Sequence, residues 1–407
     1  MKKKYLFINS LQAGGAERQA IALTSFIDFE QVFLITPQID YVIKSRFKSL
    51  SFLKKTRNSF DTIISIIYSF FIFPSQISKN STIVSFLEYA NFINVLTKYF
   101  KPHISIVNIQ IIPSVQYSKK RHWFHNFLIR WLYPKAEKIC CNSLLIKEDL
   151  IKSYQIPEHK IKVIYNSYDL QSIVDKSLES LSTEEFPIFN KYTVLINAAR
   201  LNENKAHWNL IRVFKELHKN NNNLKLIVLG KGELKSYLAN LSTSLGLRTF
   251  VYDTNQTLTE NYDVYLWGFT QNPFKLIRHA KWFVFTSLVE GMPNSVIESI
   301  VCGTPVISSD CLSGPREILN DDINSQNPIS TVEFAKYGIL MPIFDGTMLD
   351  ANKSLTSTEM YWVNQLNQII FDTNIRSDYS QKSLIRASDF DYLIKIKDWK
   401  NIIEKLL

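Results

Sequence analysis

The sequence lacks any apolar run long enough to cross a bilayer. Its longest, Thr62–Phe73 (TIISIIYSFFIF), falls short of the ~20 residues a spanning helix needs. That run is rich in β-branched residues and ends against Pro74, so it reads as a buried helix or strand. The opening MKKKYLFIN is basic, but its apolar run is too short for a secretion signal. Cysteine is scarce. Cys140, Cys141, Cys302 and Cys311 show no paired-ligand spacing, which argues against a disulfide framework or a cysteine zinc site. A reduced, cytoplasmic protein is therefore expected. There is no repeat of fixed period, no long low-complexity tract and no recognisable nucleic-acid-binding module.

What is present is a chain of 407 residues, 46% of them apolar. That is enough for two to three domains with sizeable cores, at roughly 100–200 residues each. Charge is unevenly spread. Residues 1–165 hold 23 Lys and Arg against 10 Asp and Glu, whereas the remainder holds 24 against 27. A basic first part suggests an anionic partner, either a membrane surface or nucleic acid. The acidic balance of the remainder argues against nucleic acid.

Apolar strand-like runs alternate with helical stretches. KKYLFINS leads through LQAGGAERQAIALTSFI to QVFLIT, and STIVSFL, HISIVNI, KICCNS and IKVIYNS follow. After a polar segment near 166–190 the alternation restarts with YTVLINAA, LKLIVLG, VYLWG, WFVFTS and PVISS. Such alternation implies parallel sheets covered on both faces. Two runs imply two doubly wound domains, 1–165 and 191–388, joined by a linker.

The stretch SLVEGMPNSVIESIVCGTPVISSD, Ser287–Asp310, carries two glutamates in an apolar setting. Glu290 falls in a loop at the carboxyl end of a strand. Glu298 falls about one turn inside a short helix that Asn294 or Ser295 can cap. Ligands of open α/β sheets bind at that edge, and a helix amino terminus favours anions. Carboxylates that accept hydroxyls, beside amides that hold phosphates, suit a sugar nucleotide.

In this context the chain resembles the retaining glycosyltransferases of family four, which have the GT-B fold. The resemblance runs along nearly the whole sequence. It is carried by GGAER, AARLNENKAHWNLIRVF, IVLGKGELK, the block VYLWGFTQNPFKLIRHAKWFVFTSLVEGMPNSVIESIVCGTPVISSDCLSGPREIL, and YGILMP. It implies an α/β molecule of two Rossmann-like domains facing across a cleft, with a last helix, 389–407, returning to the first domain. It implies that Glu298 holds the nucleotide ribose and Glu290 contacts the donor sugar. Gly291, Met292 and Pro293 match the loop whose backbone reaches the sugar and phosphates. Arg200 and Lys205 match the cations that neutralise the diphosphate, and Gly14 and Gly15 match the facing glycine loop. Glu290, Arg200 and Lys205 are the catalytic candidates. Gly314 is either a turn before Pro315 or a close approach to the ligand. Asn166 and Ser167 stand where the family often has Asn-Gly. Where many relatives place a histidine or arginine in the first domain, this chain offers Asn108 or Gln110, and His103 lies too early in its strand.

The implied reaction moves a hexosyl or N-acetylhexosaminyl group, with retention, from a nucleotide-diphosphate sugar, UDP-linked by expectation. The acceptor is a saccharide or lipid-linked saccharide in polysaccharide or glycolipid biosynthesis. No Asp-x-Asp follows a strand, and neither metal nor cofactor is expected. The competing readings are a sugar-nucleotide epimerase on the same scaffold and a basic nucleic-acid-binding protein. One further stretch, SKKRHWFHNFLIRWLYPKAEK, begins with Lys119, Lys120 and Arg121. Trp123, Phe124, Phe127, Leu128, Trp131 and Leu132 then recur at helical spacing. It reads either as core or as an interfacial helix on an anionic membrane. In the second reading the protein is peripheral on the inner face of the cell membrane.

Overall fold

The structure, a computed structural model, describes residues 2–12, 14–40, 46–55, 58–117, 122–320 and 329–406. Lys119, Lys120 and Arg121 lie outside the described residues. The chain divides into two units, Met1–Tyr168 with Asp391–Leu407, and Asp169–Phe390.

Among the described residues the first unit is built on seven strands: β1 (Lys4–Ile8), β2 (Gln31–Leu34), β3 (Phe47–Ser49), β4 (Thr82–Phe86), β5 (Ile104–Ile109), β6 (Lys138–Cys141) and β7 (Ile161–Val163). They are ordered β3-β2-β1-β4-β5-β6-β7, every pair parallel. Parallel strands buried on both faces need continuous apolar runs. In β1, Leu6 and Ile8 enter one core while Tyr5 and Phe7 enter the core on the other face, as the two-residue period of a strand requires. The terminal helix Tyr392–Leu406 contributes Ile396, Trp399, Ile402 and Ile403 to the first of these cores.

The apolar run expected to be buried departs from that reading. It forms the helix Ser59–Gln76, with Pro74 in its last turn, and its buried residues are Ser65, Ser69 and Phe73. Phe60, Ile63, Ile67 and Phe71 face outward. The small serines let this helix lie close to the sheet. Ser65 Oγ donates to Asp61 O at 2.8 Å and lies 2.9 Å from Ser51 Oγ. The helix Trp123–Leu132 buries only Ile129 and Leu132, so its aromatic stripe is not core. Among the described residues no helix is long and apolar enough to cross a membrane.

Among its described residues the second unit has eight strands: β8 (Thr193–Ala198), β9 (Leu224–Leu229), β10 (Thr249–Val251), β11 (Val264–Gly268), β12 (Trp282–Phe285), β13 (Val306–Ser309), β14 (Glu333–Phe334) and β15 (Ile339–Met341). Their order is β10-β11-β9-β8-β12-β13-β15-β14; β14 pairs antiparallel to β15, and the other pairs among these strands are parallel. Residues 169–191, largely the segment read above as linker, contribute two short helices to this unit, Leu170–Ser177 and Phe186–Lys191. Lys275 Nζ holds Glu185 at 2.7 Å, and Asn272 Nδ2 donates to Lys176 O at 2.8 Å, tying that segment to the domain. Chain order reverses between β8 and β12. Open α/β sheets bind ligands at such a switch, outside the carboxyl ends of the strands.

Candidate active site

Two loops meet at the β8/β12 switch. The first, after β8, carries Arg200 and a short 3₁₀ turn, Glu203–Lys205. The second, after β12, carries Glu290 and leads into the helix Asn294–Val301. Hydrogen bonds stitch them together. Thr286 Oγ1 donates to Lys205 O at 2.9 Å, and Leu288 N donates to Asn204 O at 2.8 Å. One strand-end deeper, Asn197 Nδ2 donates to Val284 O at 2.7 Å. That fixes the amide with Oδ1 toward His207, whose Nε2 must then donate across 2.9 Å. His207 is fully buried, and burial pushes its pKa down to about 3, so the ring is neutral.

This framework aims Lys205 at Glu290. The two form an ion pair, with only 19% and 11% of their side chains exposed. Lys205 Nζ also stands 5.6 Å from the centre of the Phe285 ring. Arg200 is not drawn into this pair. Its side chain is 70% exposed, and its partner is Glu233 at 3.3 Å. The structure thus separates the two cations that the sequence grouped together.

The Glu290 loop is held from beneath by the segment after β13. Glu290 N donates to Leu312 O at 2.8 Å, and Ser313 Oγ donates to Gly291 O at 2.8 Å. Gly314 has φ +86°, and a Cβ there would lie 2.6 Å from Gly291 O and 2.5 Å from Pro293 Cδ. The close approach that only a glycine allows here is therefore to the Glu290 loop, a role that neither reading of Gly314 from the sequence named. Gly291, Met292 and Pro293 are buried. The following helix begins with Pro293 at its N-cap and makes no side-chain cap bond, so neither Asn294 nor Ser295 caps it as expected. Proline at the cap accounts for this: it fixes the backbone but offers no oxygen side chain. Glu298 lies in this helix and is 5% exposed. Burial, with Glu298 next in importance, raises the Cys302 thiol well above its ordinary range.

In the first unit, Gly14 is the extended N-cap of the helix Gly15–Thr24, which follows β1. Glu17, in its first turn, has a pKa raised by burial.

The comparisons with known proteins agree with this architecture. The family model "Glycosyl transferases group 1" matches residues 180–326, and "Glycosyltransferase Family 4" matches residues 99–172. An uncharacterized glycosyltransferase of Methanocaldococcus jannaschii is 37% identical over 278 residues, 68% of this chain and 65% of that protein. The chain thus spans slightly less than two thirds of that relative. The N-acetylgalactosamine-N,N'-diacetylbacillosaminyl-diphospho-undecaprenol 4-alpha-N-acetylgalactosaminyltransferase of Campylobacter jejuni is 29% identical over the full length of both. The crystal structure of Anabaena HepE with UDP-glucose superposes with TM-score 0.73 at 17% identity, covering 99% of each chain. The fold is GT-B, and in sequence the chain is similar to the glycosyltransferases that these two family models describe.

In the first unit the carboxyl edge of the sheet is lined by amides. Gln110 Nε2 donates to Asn108 Oδ1 at 2.5 Å, and Asn142 Nδ2 donates to Gln110 Oε1 at 2.8 Å. Asn142 also reaches Asn166 Oδ1 at 3.4 Å. Ser167 is gripped by Gln19, whose side chain accepts from Ser167 N at 2.8 Å and donates to Ser167 O at 3.2 Å. His103 sits at the opposite edge, buried against Asn94 Oδ1 at 2.9 Å, where it serves packing. The sequence reading missed Asn197, His207 and Ser313, which position the Lys205 and Glu290 loops. It also missed Glu88, which opens the helix after β4 and, mainly through burial, has a raised pKa. The available signal for Glu88 was a carboxylate directly after a fully buried strand, the same signal that marked Glu290.

Proposed function

We propose that the protein is a retaining transferase that moves a hexosyl or N-acetylhexosaminyl group from a UDP-sugar to a lipid-linked saccharide. The observation that carries this reading is the Lys205–Glu290 pair at the sheet switch, beside a helix whose start has no side-chain cap and which holds Glu298. A lysine beside an open helix start can stabilise the charge that develops on a departing diphosphate. Glu290, oriented by that lysine and by its own backbone bonds, accepts donor-sugar hydroxyls, and Glu298 accepts those of the ribose. Arg200, exposed and loosely paired, is free to swing onto the phosphates, while Gly14 and Gly15 offer backbone N–H groups to a phosphate.

In the reaction the anomeric C–O bond to the diphosphate breaks and an acceptor oxygen bonds to the same face. The acceptor's proton passes to the leaving phosphate oxygen, so no protein base is needed, and Lys205, Arg200 and the helix start stabilise the diphosphate charge without a divalent metal. The lipid-linked acceptor is supported by the activity for which the Campylobacter relative is named. Such an acceptor calls for a protein peripheral to a membrane, with the basic first unit, around residues 117–135, at the contact.

Incubation with a panel of nucleotide sugars tests the reading. A UDP-hexose or UDP-N-acetylhexosamine should raise the thermal unfolding temperature. Transfer to a polyprenyl-diphosphate saccharide should then yield an α-linked product and survive EDTA. Loss of activity to EDTA with rescue by magnesium or manganese would contradict the metal-independent mechanism.

A further inference from the structure

The first unit carries a broad aromatic face with no role in donor chemistry. We propose that this face, made by the helices Ser59–Gln76 and Trp123–Leu132, is the surface that docks on an anionic bilayer. The proposal rests on the lipid-linked acceptor reading, which sets residues near 117–135 at the membrane, and adds to it the helix Ser59–Gln76 and the aromatic face that it shares with Trp123–Leu132.

The first helix presents its apolar side to solvent. Phe60, Ile63, Ile67 and Phe71 follow one another at three- and four-residue spacing, and Phe71 is 71% exposed. The opposite side, Ser65, Ser69 and Phe73, is turned to the sheet. This helix buries two serines and Phe73, with Ile66, Phe70 and Ile72 half-buried beside them, yet leaves a full row of rings and branched side chains to water, more apolar surface than a soluble helix usually shows. In its 18 residues the only charge is Asp61. On the second helix Trp123, Phe124, Phe127 and Trp131 are exposed, Trp123 by 69%. Rings bridge the two. Phe70 meets Phe100 edge-on at 5.7 Å, and Tyr99, the residue before Phe100, stacks on Trp131 at 6.5 Å. Trp131 in turn stacks on Phe127 at 6.2 Å. The face is therefore continuous from one helix to the other.

Its rim is cationic. Lys135 Nζ lies 4.7 Å from the Trp131 ring centre and donates to Tyr99 Oη at 2.6 Å. Lys48 donates to Gln76 Oε1 at the far end of the first helix. Lys54 and Lys55 are exposed two and three residues beyond Phe52, which packs on Tyr68 at 5.1 Å. Aromatic rings bounded by lysines match the layered chemistry of an anionic membrane surface, with acyl chains beneath phosphates. A second copy of the chain fits less well. A symmetric pair would set this positive rim against itself.

The test is flotation with vesicles of phosphatidylcholine and phosphatidylglycerol, using the full chain. The wild type should co-float, lose part of its binding in 0.5 M salt and retain the part due to the rings. In brominated-lipid vesicles its tryptophan fluorescence should be quenched, and Trp123→Phe with Trp131→Phe should remove most of that quenching. Ile67→Glu with Phe71→Glu should weaken partitioning by about tenfold or more. Phe124→Glu with Phe127→Glu should do the same. Wild type that stays at the bottom of the gradient overturns the proposal, as does an Ile67→Glu/Phe71→Glu protein that floats normally. Self-association abolished by those substitutions, without flotation, assigns the face to a second copy instead. Quenching of the wild type by brominated lipid needs no variant to fold. Thermal protection by UDP-sugars, measured on the same proteins, reports the donor reading separately. Protection lost while flotation persists would sink the transferase and leave the docking face standing.

Discussion

Glu298 is buried in an apolar helix, where a carboxylate is costly unless its charge is used or satisfied. If it holds the nucleotide, Glu298→Ala should weaken UDP binding by about 1–3 kcal/mol, the range for hydrogen bonds to a charged group. Calorimetry showing unchanged affinity would remove it from the site. His207 makes a different prediction. Its ordinary pKa of 6.5 falls to about 3 through burial. Between those values the unfolded chain binds the extra proton, so stability is lost as pH falls from about 6.5 toward 3. Above 6.5 the contribution is complete. One proton corresponds to a slope of at most about 1.4 kcal/mol per pH unit. His207→Gln should flatten the curve of urea midpoint against pH between 4 and 6, and an unaltered curve would mean that the ring titrates normally.

At the level of elements, the Glu290 loop depends on a glycine in another segment. Gly314 holds a positive φ and leaves no space for a Cβ beside Gly291 and Pro293. Gly314→Ala should therefore cost about 1–3 kcal/mol of local strain and displace the loop. The expected signature is weakened donor protection with little change in far-ultraviolet circular dichroism. Normal protection would mean that the loop is held by other contacts. The same segment shows where sequence was informative. Strands such as Trp282–Phe285, wholly apolar, and Thr82–Phe86, interrupted only by small hydroxyl residues, announce themselves as short apolar runs, because both faces of a parallel sheet are covered. The switch-point loops follow from that order. The Asn197–His207 brace was not legible, since its residues are neutral until β12 brings Val284 alongside. The orientation of Ser59–Gln76 was equally hidden. Both sides of that helix are largely apolar, so periodicity could not reveal that the serine side faces the sheet.

At the scale of the molecule, the two units own separate cores. The second unit's central core is drawn wholly from residues 195–379. The cores of the first draw on its seven-stranded sheet and, beyond 390, on the final helix. A chain that leaves one unit, builds another and returns makes its first unit depend on residues made last. Trp399 carries much of that dependence. It is 7% exposed and stacks on Phe86 of β4 at 6.0 Å, beside Ile402 and Ile403. Truncating a buried tryptophan costs about 3–5 kcal/mol, a large share of the 5–15 kcal/mol that a domain typically holds. Trp399→Ala should therefore split urea unfolding into two steps, with the first unit melting early. The later step should keep the midpoint of the second unit and its protection by UDP-sugars. A single transition that moves as a whole would show that the units unfold together, and an unmoved curve would show that the last helix contributes little to the first core.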